Sequence, residues 1–254
     1  MSTNPAPEAW MSRVLAILAK AEATTNPHEA EAFLAKAQEL MARHAIDDAM
    51  LSAAGRTASD VPGSEVILIE PPYASAKSTL LATVAAANRC KAVRRSEGSG
   101  RQENIVVGHE SDLAAVRTLF GALSVHAVRT MVAEPIPPFD TARRFRHAFL
   151  LAFSGRIGER LRAATATAEH QVRETASGAG MAVVLADRAA AVDRAFREQF
   201  PSVRTTRSQA SSHAGIRSGR AAADRAALGQ AGLGGAGRAL TAGRARDAGS
   251  RRSA

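Results

Sequence analysis

The chain has 254 residues, 46% of them apolar and only 4% aromatic, so it can bury one large core or two modest ones, built mainly from Ala, Val, Leu and Ile. Its single cysteine, Cys90, excludes an internal disulfide and any cysteine-rich metal site, which fits a reducing, cytoplasmic setting. The net charge of +9 is uneven: residues 1–203 hold 23 Lys and Arg against 22 Asp and Glu, a net of +1, and residues 204–254 hold 10 against 2, a net of +8.

Residues 1–9 read as a disordered end, without the basic-then-apolar order of a secretion signal. Residues 10–50 read as a helical hairpin. Met11, Val14, Leu15, Leu18 and Ala21 recur at helical steps on the first arm, and Ala30, Phe33, Leu34, Ala37, Leu40, Met41 and His44 on the second. Between the arms, Asn26 suits a helix cap, Pro27 the first helical position and Glu29 a capping box. Two apolar stripes need something to pack on, so one reading of the hairpin is a docking element for a protein partner. Residues 51–64, rich in small polar residues with two Gly and a Pro, read as a linker.

Residues 65–200 read as an α+β domain. Val66 to Ile69 is a strand, Ala74 to Asn88 a helix, Cys90 to Arg95 and Asn104 to Val107 two strands around Gly98-Ser99-Gly100, and Asp112 to Val132 a helix. The β-α-β-β-α order implies a small sheet with helices laid against it. A long helix follows from about Thr141 to Ala176, carrying Phe145, Phe149, Phe153, Ile157 and Leu161 at steps of four. Met181 to Ala186 reads as a further short strand joining that sheet, and Ala189 to Phe200 as a helix. Residues 201–254, rich in Gly, Ser and Arg, read as a disordered basic tail.

Leu18-Ala19-Lys20-Ala21-Glu22, Thr25 through Ala32 and Lys36 through His44 together resemble the bacterial and phage domain-of-unknown-function 2786 family. Residues 65 to about 200 resemble the uncharacterised domain that often follows it, with Val107-Gly108 through Ser111-Asp112-Leu113 and Arg144-Phe145-Arg146 through Arg156-Ile157-Gly158-Glu159-Arg160-Leu161 as the runs that carry the likeness. The resemblance implies a fold and an architecture and carries over no catalytic residue.

No constellation of reactive groups stands out. The seven histidines are scattered, and His28-Glu29 lies where a helix opens, so acids there favour the amide dipoles rather than a metal. Pro71 to Thr79 has the strand-loop-helix setting of a phosphate loop, with Lys77-Ser78 at its end, but Pro71 and Ala76 stand where that loop needs glycine. Val183 to Asp187 has the apolar-then-Asp form of a nucleotide-site strand, a form shared by many buried strands. Gly232 to Gly237 satisfies G-x-G-x-x-G, without the strand, helix and later acid that give the pattern meaning. No cofactor and no metal are expected.

The remaining feature is basic. Arg89, Lys91, Arg94, Arg95 and Arg101 cluster along the hairpin of strands, Arg143, Arg144 and Arg146 open the long helix, and Arg217, Arg220 and Arg225 lie in the tail. On one face they would form a phosphate-tracking strip. Solvated arginine around a small sheet is the other reading, and 29 of the 33 basic residues being Arg also fits a genome rich in G and C. The expected function is a non-enzymatic cytoplasmic module that binds DNA or RNA non-specifically through phosphates. The alternatives are an adaptor docking a protein on the N-terminal hairpin, and an enzyme whose site gathers Lys77, Arg144, Glu159 and Arg160. No apolar run reaches the roughly 18 residues of a membrane span, so no membrane partner is expected.

Overall fold

The computed structural model describes residues 6–23, 27–53, 55, 61–96, 100–173, 178–206 and 208–226. In chain order these form α1 (Ala6–Ala23), α2 (Pro27–Ala53), β1 (Gly63–Ile69), α3 (Ala74–Ala87), β2 (Lys91–Ser96), β3 (Gln102–Gly108), α4 (Glu110–Ala133), α5 (Ala142–Arg173), α6 (Gly178–Gln199) and α7 (His213–Asp224). The α+β class and the β-α-β-β-α order of the middle segment hold.

β3 lies between β1 and β2 and is antiparallel to both. The outer strands therefore run parallel to each other, with α3 as the crossover between them and β3 inserted afterwards, a split β-α-β unit. Register and alternation put Ile67, Ile69, Asn104, Val106, Ala92 and Arg94 on one face of the sheet. On that face Ile69 and Val106 are buried with Leu80, Leu81 and Val84 of α3. α6 crosses part of the other face, where Asp193 reaches Lys91 at 2.6 Å and Gln199 donates to the Ser64 hydroxyl at 3.4 Å.

α5 is the axis of the molecule, and α2, α3, α4, α6 and α7 all pack on it. Phe145, Phe149, Phe153, Ile157 and Leu161 are each no more than 2% exposed. Steps of four residues overshoot the helical repeat by about 40°, so this stripe winds around the helix and meets one neighbour after another. Val14 and Leu18 of α1 and Ala37 and Met41 of α2 belong to the same core cluster. Gln38 of α2 fastens the joint: its buried amide donates to Asn88 Oδ1 at 3.0 Å, just past α3, and to Thr165 Oγ1 of α5 at 2.9 Å.

The structure corrects three readings. The expected strand Met181 to Ala186 lies inside α6, so the sheet has three strands among the described residues. Among its described side chains Leu185, Arg188 and Val192 are buried, a helical spacing that a six-residue apolar run does not separate from a strand. The tail expected from residue 201 is folded over 213–224: α7 packs on α5 and buries Gly215, Gly219, Ala222 and Ala223. A Cβ on Gly215 would strike the Phe145 carbonyl oxygen, and one on Gly219 the Phe149 carbonyl oxygen, so these glycines allow backbone-to-backbone contact rather than looseness. The end expected to be disordered over 1–9 already enters α1 at Ala6. The Asn26 cap, the Gly98-Ser99 turn and the Gly232–Gly237 motif lie outside the described residues.

Candidate functional site

Two clefts flank the amino-terminal half of α3. The first, about 830 Å³, is bounded by Tyr73, Ala74 and Ser75 where α3 begins and by Arg143, Arg144 and His147 from the first turns of α5. The peptide between Pro71 and Pro72 is cis, and Tyr73 takes the cap position of α3 at φ 61 with no side-chain cap bond. The first backbone bond of the helix is the Lys77 amide donating to the Tyr73 carbonyl at 3.0 Å. Amides of the first turn are thus left to whatever enters the cleft, at the positive end of the helix dipole.

Asp140 organises the opposite wall. One of its oxygens accepts from the Thr141 amide at 2.9 Å and lies 3.1 Å from Arg144 Nε; the other accepts from the Ser212 hydroxyl, which in turn accepts from the Gly215 amide at 2.9 Å. The start of α5, the start of α7 and the aim of Arg144 are therefore set by one carboxylate. The Ser212 hydroxyl, the Thr141 amide and Arg144 hold Asp140 below the ordinary carboxylate range. Arg143 is exposed and has no ion pair among the described residues.

The second cleft, about 850 Å³, lies between α3, β2 and the segment from Ser202 to Ser208. Its apolar lining is Ala82, Ala92, Val93 and Phe196, and Arg94, Arg204, Thr205 and Thr206 are among its polar lining. Arg94 stands between the two clefts, donating from Nη1 to Ser75 Oγ at 2.7 Å and from Nη2 to Thr206 Oγ1 at 3.3 Å. Arg204 is exposed and without an ion pair among the described residues.

The cations expected to form a strip divide sharply, and Arg146 is half-buried on α5. Lys91 pairs with Asp193 at 2.6 Å, Arg95 with its cross-strand neighbour Glu103 at 3.2 Å, and Arg101 with Glu70 at 2.6 Å. Arg220 lies 3.5 Å from Glu159 and Arg225 3.4 Å from Glu134. Arg89 turns inward, 2.6 Å from Asp112 and 3.7 Å from Glu169. Arg188 approaches the other Asp112 oxygen at 3.8 Å and donates to Ser111 Oγ at 3.4 Å, closing a buried cluster of two cations and two anions. A continuous strip is therefore not what the structure builds. Arg94, Arg143 and Arg144 come together at the clefts, and Arg217 is exposed on α7.

The four residues expected to converge in an enzyme site do not. Arg144 faces the first cleft, while Glu159 and Arg160 line a hollow of about 280 Å³ between α2 and α5. Fifteen helical residues separate Arg144 from Glu159, roughly 22 Å along the axis. Lys77 sits in α3 and spends its ammonium on the Glu70 carbonyl at 2.5 Å; burial lowers its pKa and Glu70 partly restores it. Val183 to Asp187 is helical, so its likeness to a nucleotide-site strand lapses. Burial, then the charge of Asp112, push the Cys90 thiol well above its ordinary value, which disfavours the thiolate. Among the described residues, no three His, Cys, Asp or Glu side chains are grouped to hold a metal.

Sequence reading missed Arg204, Tyr73 and Phe196 at these clefts, and passed over His147. Arg204 was counted only as tail charge; the run Ser202-Val-Arg-Thr-Thr206, dense in hydroxyls beside an arginine, was its signal. Residues 10–48 match the model of a family described as "Protein of unknown function (DUF2786)". That stretch spans most of α1 and most of α2 and includes no residue of either cleft. No curated protein and no solved structure matches the chain. No helix among the described residues is long and apolar enough to cross a membrane.

Proposed function

We propose that this protein binds nucleic acid without sequence preference, through phosphate contacts made at the paired clefts beside α3. The carrying observation is the sorting of the cations: Arg94, Arg143 and Arg204 border the clefts with no ion pair among the described residues and Arg144 joins them paired with Asp140, whereas Arg89, Lys91, Arg95, Arg101, Arg220 and Arg225 are held by carboxylates and line neither cleft. Guanidinium groups match phosphate geometry in a bidentate fork, and the hydroxyls of Ser75, Thr141 and Thr206 add donors beside them. Asp140 is the only carboxylate within reach of Arg144 among the described residues, so the cluster keeps net positive charge.

The adaptor reading needs an exposed apolar face on residues 10–46, and Val14, Leu18, Ala37, Met41 and Ile46 are buried instead. The test is fluorescence anisotropy of the full chain on a labelled oligonucleotide across a salt series. Replacing Arg143 and Arg144 by Glu is expected to weaken binding at least tenfold and to lower the salt slope by about two. Arg217→Glu, away from the clefts, is expected to change it little. Identical titrations for the double variant and the parent chain would remove the proposal.

A further inference from the structure

We infer that the bound nucleic acid is single-stranded, with one base splayed into the cleft between α3, β2 and the 202–208 segment while its phosphates pass Arg94 toward Arg143 and Arg144. This rests on the phosphate-binding reading above and adds the class of strand. A phosphate backbone needs only a cationic surface; it does not need a cavity. The second cleft, about 850 Å³, has the size of sites that enclose small organic groups. Its makeup fits a base on its sugar phosphate: apolar lining from Ala82, Ala92 and Val93, one aromatic ring, and hydroxyls and guanidinium beside them.

Phe196 is braced for that role. Its ring also lines a neighbouring hollow of about 470 Å³, from which Lys91 Nζ approaches to 5.7 Å of the ring centroid. Lys91 is itself fixed by Asp193 at 2.6 Å, and Phe200 lies against the ring with centroids 5.2 Å apart. A ring supported from behind loses little freedom when a base stacks on it. The Ser78 hydroxyl in the same cleft wall is 4% exposed and has no hydrogen-bond partner among the described residues. Arg94 links the two clefts through Ser75 and Thr206, so a base in one cleft and a phosphate in the other would share a single guanidinium. Paired bases are held inside a duplex and reach no such cleft without being extruded.

The experiment compares three labelled probes on the full chain: a twelve-residue oligothymidine, an abasic phosphodiester strand of equal length, and a duplex of equal length. Oligothymidine is expected to bind about tenfold or more tighter than either of the others. Ala82→Trp, at an exposed position of α3, and Val203→Trp, 50% exposed on the facing segment, each fill the cleft without removing a contact. Both are expected to abolish the preference while leaving abasic binding and its salt slope unchanged. Equal affinity of the parent chain for all three probes would overturn the strand inference and leave the phosphate reading intact. A preference that survives both Trp variants would also overturn it, and no binding to any probe would end both readings.

Discussion

Trp10 and His44 stack with ring centroids 4.0 Å apart and planes 25° from parallel, joining α1 to α2. Burial lowers the pKa of His44 below its ordinary 6.5, and the Asp48 and Asp47 charges only partly restore it. A folded-state pKa below the unfolded one means that the unfolded chain binds the proton more readily. The stability tied to keeping His44 neutral is therefore fully present above pH 6.5 and is lost as pH falls through the lower folded value. As the chain has one Trp, its fluorescence isolates this event: Trp10 emission is expected to fall, and urea resistance with it, as pH drops below 6.5, and His44→Phe should flatten both curves. At the buried cluster, Asp112 is the acid common to Arg89 and Arg188. Asp112→Ala should cost about 3–5 kcal/mol, since it strands buried cations, and urea denaturation measures it. The charged residues of this cluster were legible as basic or acidic positions, but not as partners, because 77 residues separate Ser111 from the Arg188 that donates to it.

At the scale of elements, α7 and α6 mark where pattern reading stops. The composition of residues 213–224 is that of a linker, yet Gly215, Gly219, Ala222 and Ala223 fall on one helical face and let α7 lie against the α5 backbone. Ser212 caps it through its hydroxyl. Gly219→Ala is expected to destabilise the protein by about 1–3 kcal/mol, because the added methyl must displace a helix rather than a side chain; a thermal melt checks this, and an unchanged midpoint would mean that α7 contributes nothing to the fold. The β-α-β-β-α order, by contrast, was readable: its strands are short and the turns between them carry Gly, Asn and Pro. What those patterns left open was strand order, which is decided by how β3 inserts between β1 and β2. The long helix was readable as well, from Phe145, Phe149, Phe153, Ile157 and Leu161, all buried.

Across the whole molecule, the charge split weakens once α7 is counted with the fold: residues 1–226 hold 28 Lys and Arg against 23 Asp and Glu, a net of +5. Residues 227–254 hold five Arg against one Asp, a net of +4, half of the +8 carried by residues 204–254. Ending the chain at Val203 would remove α7 and damage the fold; ending it after Ala226, itself buried, keeps every described element and takes away five Arg and one Asp. The version ending at Ala226 is expected to melt within a few degrees of the full chain and to bind the oligonucleotide with a shallower salt slope. An unchanged slope would mean that the last 28 residues add no phosphate contacts. Sequence alone determined the class of fold, the helical hairpin, the axis helix and the size of the charge excess, because each is written in local periodicity or in a count. Only the tertiary structure decided which cations are neutralised and which border the clefts, since a guanidinium is free or paired according to carboxylates brought to it from distant parts of the chain.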